Sequence, residues 1–154
     1  MYKEASFPAF YKFLALFFFI RKRVEFDEPM DAIVYGTLIS LGFATYENYE
    51  YVFIYNETLS SLQTAQIRSV TAVPLHAFCG IIMGYNFGIY STTKSTRYLY
   101  QSLAIPVLLH GVYNYLDSLL YTFILITFSL IVCLYLHQSL ALKQKEKMFE
   151  KEFN

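Results

Sequence analysis

Apolar positions along this chain come in long runs, not in alternation. Five runs can be traced: Ala5 to Ile20, Met30 to Tyr55, Ile67 to Tyr90, Leu99 to Leu116 and Leu119 to Ala141. Each suits a helix crossing a hydrocarbon core of about 30 Å, and none keeps the two-residue period of a half-buried strand. The pattern predicts an all-α, polytopic integral membrane protein with about five transmembrane helices. Residues 1–142 form a single membrane domain in this reading, and 143–154 form a charged tail. The first run carries Lys12 and follows no basic region, so it does not read as a cleavable signal peptide.

The breaks between runs are polar. Arg21-Lys22-Arg23 with Glu25, Asp27, Glu28 and Pro29 forms the first loop. Residues 56–66 form the second, 91–97 the third, and Asp117-Ser118 a tight fourth break. The tail alternates lysine and glutamate, as a solvated helical extension does. Basic residues favour the cytoplasmic side. The first loop, the third loop and the tail hold nearly all of them, so the C-terminus is expected in the cytoplasm and the N-terminus outside. On the outer loop, Asn56-Glu57-Thr58 matches a glycosylation triplet, which has meaning only in a eukaryotic host.

Composition narrows the class. The chain is 56% hydrophobic and only 16% charged, too apolar for an ordinary soluble domain. Its formal net charge is zero, so nucleic acid is not an implied partner; the lipid bilayer is. Cys79 and Cys133 both lie inside apolar runs and read as small core residues with no disulfide role.

Against this background a few side chains are out of place. Glu47, His76, His110 and Asn114 lie within apolar runs, where each costs a few kcal/mol at the bilayer centre and marks a functional site by default. At a rise of about 1.5 Å per residue, all four fall in the outer half of their helices, and Lys12 falls at the same depth. His110 and Asn114 are four apart and share a face. Arg68, Ala72, His76, Gly80, Gly84 and Gly88 form a row at four-residue spacing that is small or polar throughout. Such rows let helix backbones approach closely in lipid, so His76 belongs on a packed face. Gly36, Ser40, Phe43 and Glu47 share a side of the second helix. The alternative is that these polar groups are interhelical hydrogen-bond glue. Lys12 either joins the layer or snorkels outward. Glu50 and Arg68, near the outer interface, are expected to be solvated or anchoring.

One carboxylate and two imidazoles allow two mechanisms. Glu47, His76 and His110 could ligate a zinc-like divalent ion, since two histidines and a glutamate are a known catalytic zinc set. Without a metal, Glu47 could act as general base while the histidines and Asn114 orient water and stabilise the oxyanion. The HExxH signature of soluble metalloproteases is absent.

Three blocks carry a family resemblance. The first runs from Phe26-Asp27-Glu28 through Asp31-Ala32-Ile33-Val34-Tyr35-Gly36 to Gly42-Phe43-Ala44-Thr45-Tyr46-Glu47-Asn48. The second is Arg68 to Gly88, with His76 followed by Gly80 and Gly84, and the third contains Leu109-His110-Gly111-Val112-Tyr113-Asn114. In order and spacing the chain resembles the PrsW family of intramembrane proteases. It is more distantly similar to CAAX-prenyl endopeptidases and bacteriocin-processing proteases. The resemblance implies a peptidase acting on membrane-anchored substrates, of the anti-sigma-factor kind in bacteria. It makes Glu47, His76, His110 and Asn114 the catalytic set, with Lys12 and Asn48 in support. The family's first motif is Glu-Glu-x-x-Lys; Lys12 matches its lysine, but Pro8 and Ala9 stand at the glutamate positions. The family also has further helices before this motif. The chain therefore reads as an N-terminally shortened or degenerate member with impaired activity. The alternative is a non-catalytic protein of the same fold that binds transmembrane segments.

Overall fold

The computed structural model of the chain describes residues 6–22, 28–55, 59–116 and 118–152. Among these the protein is all-helical, as expected. Helix α1 spans Ser6–Ala15 and continues through a π-helical turn at Leu16–Ile20; α2 spans Pro29–Tyr49 and continues through a second, Glu50–Ile54. Then follow α3 (Ser61–Val70), α4 (Ala72–Thr93), α5 (Thr96–Tyr115) and α6 (Leu119–Glu152). The Asn56-Glu57-Thr58 triplet, Glu4, Asp117 and the middle of the first loop lie outside the described residues.

The helix boundaries follow local chemistry. Pro29 opens α2 at a position where its missing N–H is no loss, and the Glu28 amide donates to Asp31 Oδ2 at 2.8 Å. Two expected loops are shorter than the apolar runs suggested. Residues 61–66 are helical and open α3, because Ser60 and Gln63 cap each other reciprocally: Gln63 N–H donates to Ser60 Oγ at 3.3 Å and Ser60 N–H to Gln63 Oε1 at 3.0 Å. The third loop shrinks to Lys94 and Ser95. Lys94 ends α4 in the left-handed region with φ 57°, its N–H returning to the Tyr90 carbonyl at 2.8 Å. The expected third helix is also broken. Thr71 leaves helical geometry with φ −120° and ψ −71°, three residues before Pro74, whose ring cannot donate to the Val70 carbonyl and crowds it.

Helix α4 is the hub. It packs most extensively on α2, then on α5 and α6, while α1 leans on both α2 and α5. The α2–α4 seam is made of glycines. A Cβ added at Gly80 would stand 2.6 Å from the Gly36 carbonyl oxygen, and one at Gly88 2.5 Å from that of Pro29. A Cβ at Gly84 would meet the Ala32 carbonyl closer still. At such separations no side chain fits, so the small-residue row of α4 does face α2. Leu16, Ala32, Met83 and Phe87 make a tight core below it, and Phe78, Ile82 and Cys133 another against α6.

The outer surfaces are apolar. On α6, Leu120, Phe128, Ile131 and Tyr135 are each more than half exposed, which suits acyl chains and no aqueous solvent. Two helical stretches, Ser61–Thr93 and Leu119–Leu142, are long and apolar enough in themselves to cross a bilayer, and Ala9–Ile20 is a shorter apolar helix. Helices α2 and α5 carry Glu47, Asn48, His110 and Asn114 together with many tyrosines inside their apolar runs.

Candidate metal centre

Four helices each deliver one polar side chain to a common point. Glu47 comes from the last turns of α2, His76 from the second turn of α4, His110 from the end of α5, and Lys12 from α1. One ligand atom from each of Glu47, His76 and His110 lies within 4.8 Å of the others. His76 Nε2 is 3.1 Å from Glu47 Oε2 and 3.4 Å from His110 Nε2. The two rings stand nearly perpendicular, at 82° with centroids 5.0 Å apart. His76 is fully buried and His110 is 3% exposed. Polar groups this deep are tolerated only when satisfied by one another.

The outer nitrogens of both rings are held by second groups. Lys12 Nζ lies 2.8 Å from His76 Nδ1, leaving Nε2 to face the carboxylate. Asn114 Nδ2 lies 3.4 Å from His110 Nδ1 and plays the same part for the second ring. These contacts fix both ring planes; with an ion on each Nε2 the proton of each ring sits on Nδ1, so Lys12 would accept it as a neutral amine and Asn114 through its amide oxygen. Lys12 does not snorkel: it is 1% exposed, with its ammonium 5.8 Å from the centre of the Phe43 ring. Ser40 donates its hydroxyl to the His76 carbonyl, fastening that turn of α4 to α2.

Arg68 is the largest departure from expectation. It is not solvated at the interface but 9% exposed. Its Nη2 bonds Glu47 Oε2 at 2.8 Å and its Nε bonds Asn48 Oδ1 at 2.6 Å. The guanidinium also stacks 4.1 Å from the Tyr51 ring, and Tyr51 lies in the π-helical turn that follows α2. Asn48 therefore reaches the centre through Arg68. The cue for Arg68 was its place at the head of the small-residue row that contains His76. Nearby, Tyr113 OH donates to Thr71 Oγ1 at 3.2 Å and ties α5 to the α3–α4 break.

The donor set fits a divalent metal of the zinc class. Two nitrogens each about 2.0–2.1 Å from a tetrahedral ion lie about 3.3–3.4 Å apart, and the His76–His110 separation is 3.4 Å. Two imidazoles and a carboxylate are also the softness such an ion prefers. Glu47, His76 and His110 form the one cluster of this type among the described residues.

Comparison with known proteins agrees. The profile of the family described as PrsW family intramembrane metalloprotease matches residues 9–138. The protein called Protease PrsW from Geobacillus kaustophilus is 40% identical over 109 residues, 70% of this chain and 46% of its own length. Its namesake from Halalkalibacterium halodurans is 37% identical over 131 residues, 82% of this chain and 59% of its own. A third, from Oceanobacillus iheyensis, is 35% identical over 137 residues, 88% and 61% respectively. The chain thus spans about half to three-fifths of the length of these relatives. No solved structure matches it.

Proposed function

The chain belongs to the PrsW family of intramembrane metalloproteases, and on that premise we propose that it hydrolyses peptide bonds of membrane-anchored proteins at the Glu47–His76–His110 centre. The observation that carries the reading is the meeting of these three groups in a lipid-shielded interior. Structural glue needs hydrogen bonds between pairs of helices; it does not need two Nε2 atoms and a carboxylate oxygen aimed at one another. Glu47, His76 and His110 would hold a zinc-like ion, and such an ion, when bound, lowers the pKa of its water to about 7 and polarises a carbonyl. The chain's own residues do the rest. Lys12 and Asn114 hold the ring planes. Glu47 is the carboxylate at this centre among the described residues. In the metal-free alternative it is the general base and not a ligand: it takes the proton from the attacking water as the carbon–oxygen bond forms, and returns it to the amide nitrogen as the carbon–nitrogen bond breaks.

Pro8 and Ala9 occupy the positions of the family's glutamates, so turnover is expected below that of relatives that carry them. The same substitution favours a second reading, a non-catalytic protein that binds transmembrane segments.

In the membrane we read five crossings: α1 and α2 with their π-helical turns, α4, α5 and α6, with α3 as a short helix leading into α4. The domain is 1–142 and the tail, 143–154, is cytoplasmic, with the N-terminus and the centre toward the outside. The clustering of basic residues supports this. Arg21 and Lys94 line one cavity of about 230 Å³ with Glu28, and Gln144 of α6 donates to Glu28 Oε2 at 2.6 Å. The start of the tail and both basic loops are thus at one end, and the centre is at the other. In a bacterial host the substrate would be a single-span protein of the anti-sigma-factor kind.

The test is cleavage of a single-span substrate by the purified chain in proteoliposomes. The intact chain is expected to cut it, with Glu47→Gln slowing cleavage by at least about a hundredfold. A substrate that co-purifies with the chain uncut would select the binding reading.

A further inference from the structure

Neither sequence pattern nor family likeness gives Arg68 a part in the centre, yet its guanidinium meets the end of α2 and the π-helical turn that follows it. One plane of donors reaches Glu47 Oε2 at 2.8 Å and Asn48 Oδ1 at 2.6 Å, and its face lies 4.1 Å from the Tyr51 ring. Residues 47, 48 and 51 form one patch of that helix face. Arg68 itself sits in the last turn of α3, three residues before the break at Thr71. Its side chain is 11% exposed and that of Glu47 13%, so the pair is largely withdrawn from solvent.

We infer that Arg68 is a positioning residue for the hydrolytic centre: it fixes the Glu47 carboxylate against His76 and His110. This rests on the reading of Glu47, His76 and His110 as the metal-holding set. A glutamate side chain has three rotatable bonds, and fixing it costs up to about 1.5–2 kcal/mol of rotamer freedom. Arg68 absorbs that cost into the fold, because its contacts exist before any ion or substrate arrives. The planar fork is essential. A lysine would carry the same charge but could not bond Oε2 and Oδ1 from one rigid plane while stacking on Tyr51.

Charge and position predict opposite signs. A guanidinium beside a cation site repels the cation, so its removal would tighten metal binding if charge were its whole effect. If Arg68 acts by holding Glu47, its removal loosens binding by about 10–100-fold, the usual range for partners of ligating side chains.

The experiment titrates cobalt(II) into the full chain in detergent and follows both affinity and the ligand-field absorption bands. Wild type is compared with Arg68→Met, Arg68→Lys and the milder Asn48→Ala, each first checked for helicity and monodispersity. Arg68→Met and Arg68→Lys are both expected to bind at least tenfold more weakly with altered bands, and Asn48→Ala to fall between. Arg68→Lys matching wild type, or Arg68→Met binding equally or more tightly, would overturn the inference. So would a lowered melting temperature with unchanged affinity and bands, which is what a merely structural role gives. Wild type failing to bind cobalt(II) at all would instead remove the centre itself, and the inference with it.

Discussion

Replacing Gly80 by alanine should open the centre with all of its polar residues left in the sequence. The added methyl would stand 2.6 Å from the Gly36 carbonyl oxygen, 2.7 Å from Thr37 Cα and 2.8 Å from Ser40 Cβ. Two of these neighbours are backbone and cannot rotate away. A comfortable carbon–oxygen approach is about 3.3–3.6 Å, so α2 and α4 must separate by about 0.7 Å at this level. Gly80 is one turn from His76, and the displacement reaches the centre directly. It strains the Ser40 hydrogen bond to the His76 carbonyl. It also lengthens the Glu47–His76 contact from 3.1 Å to beyond hydrogen-bond range. Overpacking of this kind costs about 1–3 kcal/mol. Gly42 supplies the control, since a Cβ there meets nothing within 4 Å. Gly42→Ala should therefore gain about 0.5–1 kcal/mol from the lower backbone entropy of alanine. The assay is thermal unfolding in detergent followed by circular dichroism, paired with metal titration of each variant. Gly80→Ala is expected to melt at lower temperature and bind metal more weakly, while Gly42→Ala matches or exceeds wild type. Equal melting temperatures and equal affinities for the two alanine variants would refute the claim that glycine contacts set the geometry of the centre.

Two further outcomes test the proposed function. Ala9 is 3% exposed, on the inner side of α1 one turn before Lys12, so the double change Pro8→Glu with Ala9→Glu is expected to raise cleavage of a single-span substrate at least tenfold. No change in rate would mean that these positions do not limit activity. For topology, single cysteines at Lys94 and at Ser60, in a background lacking Cys79 and Cys133, should react with impermeant maleimide from opposite faces of sealed vesicles. Labelling of both from the same face would contradict the orientation and the span count.

Much of this architecture could be read from residues alone, for physical reasons. Buried ionisable groups are costly in lipid, so Glu47, His76, His110 and Asn114 stood out, and the structure brings them together. The small-residue row of α4 announced its packed face because only glycines permit the approach seen at Gly80 and Gly88. Polar stretches are not all loops. Residues 61–66 read as a loop because they are hydrophilic, although Ser60 and Gln63 spell a capping box. The break at Thr71 was signalled by Pro74, which the length of the apolar run obscured. Depth along a straight helix puts Arg68 at the outer interface. Arg68 bonds Glu47 and Asn48 from the turn before the break at Thr71, and no periodicity conveys that break. The π-helical turn at Glu50–Ile54, which carries Tyr51 beneath the guanidinium, has no sequence signature either.

The central claim is that Glu47, His76 and His110 act together on one ion. X-ray absorption of the zinc-loaded chain tests it most directly. The geometry predicts two imidazole nitrogens with oxygen donors at about 2.0–2.2 Å, and His110→Ala should halve the imidazole scattering. A shell containing sulfur, an all-oxygen shell, or a spectrum unaltered in His110→Ala would contradict it.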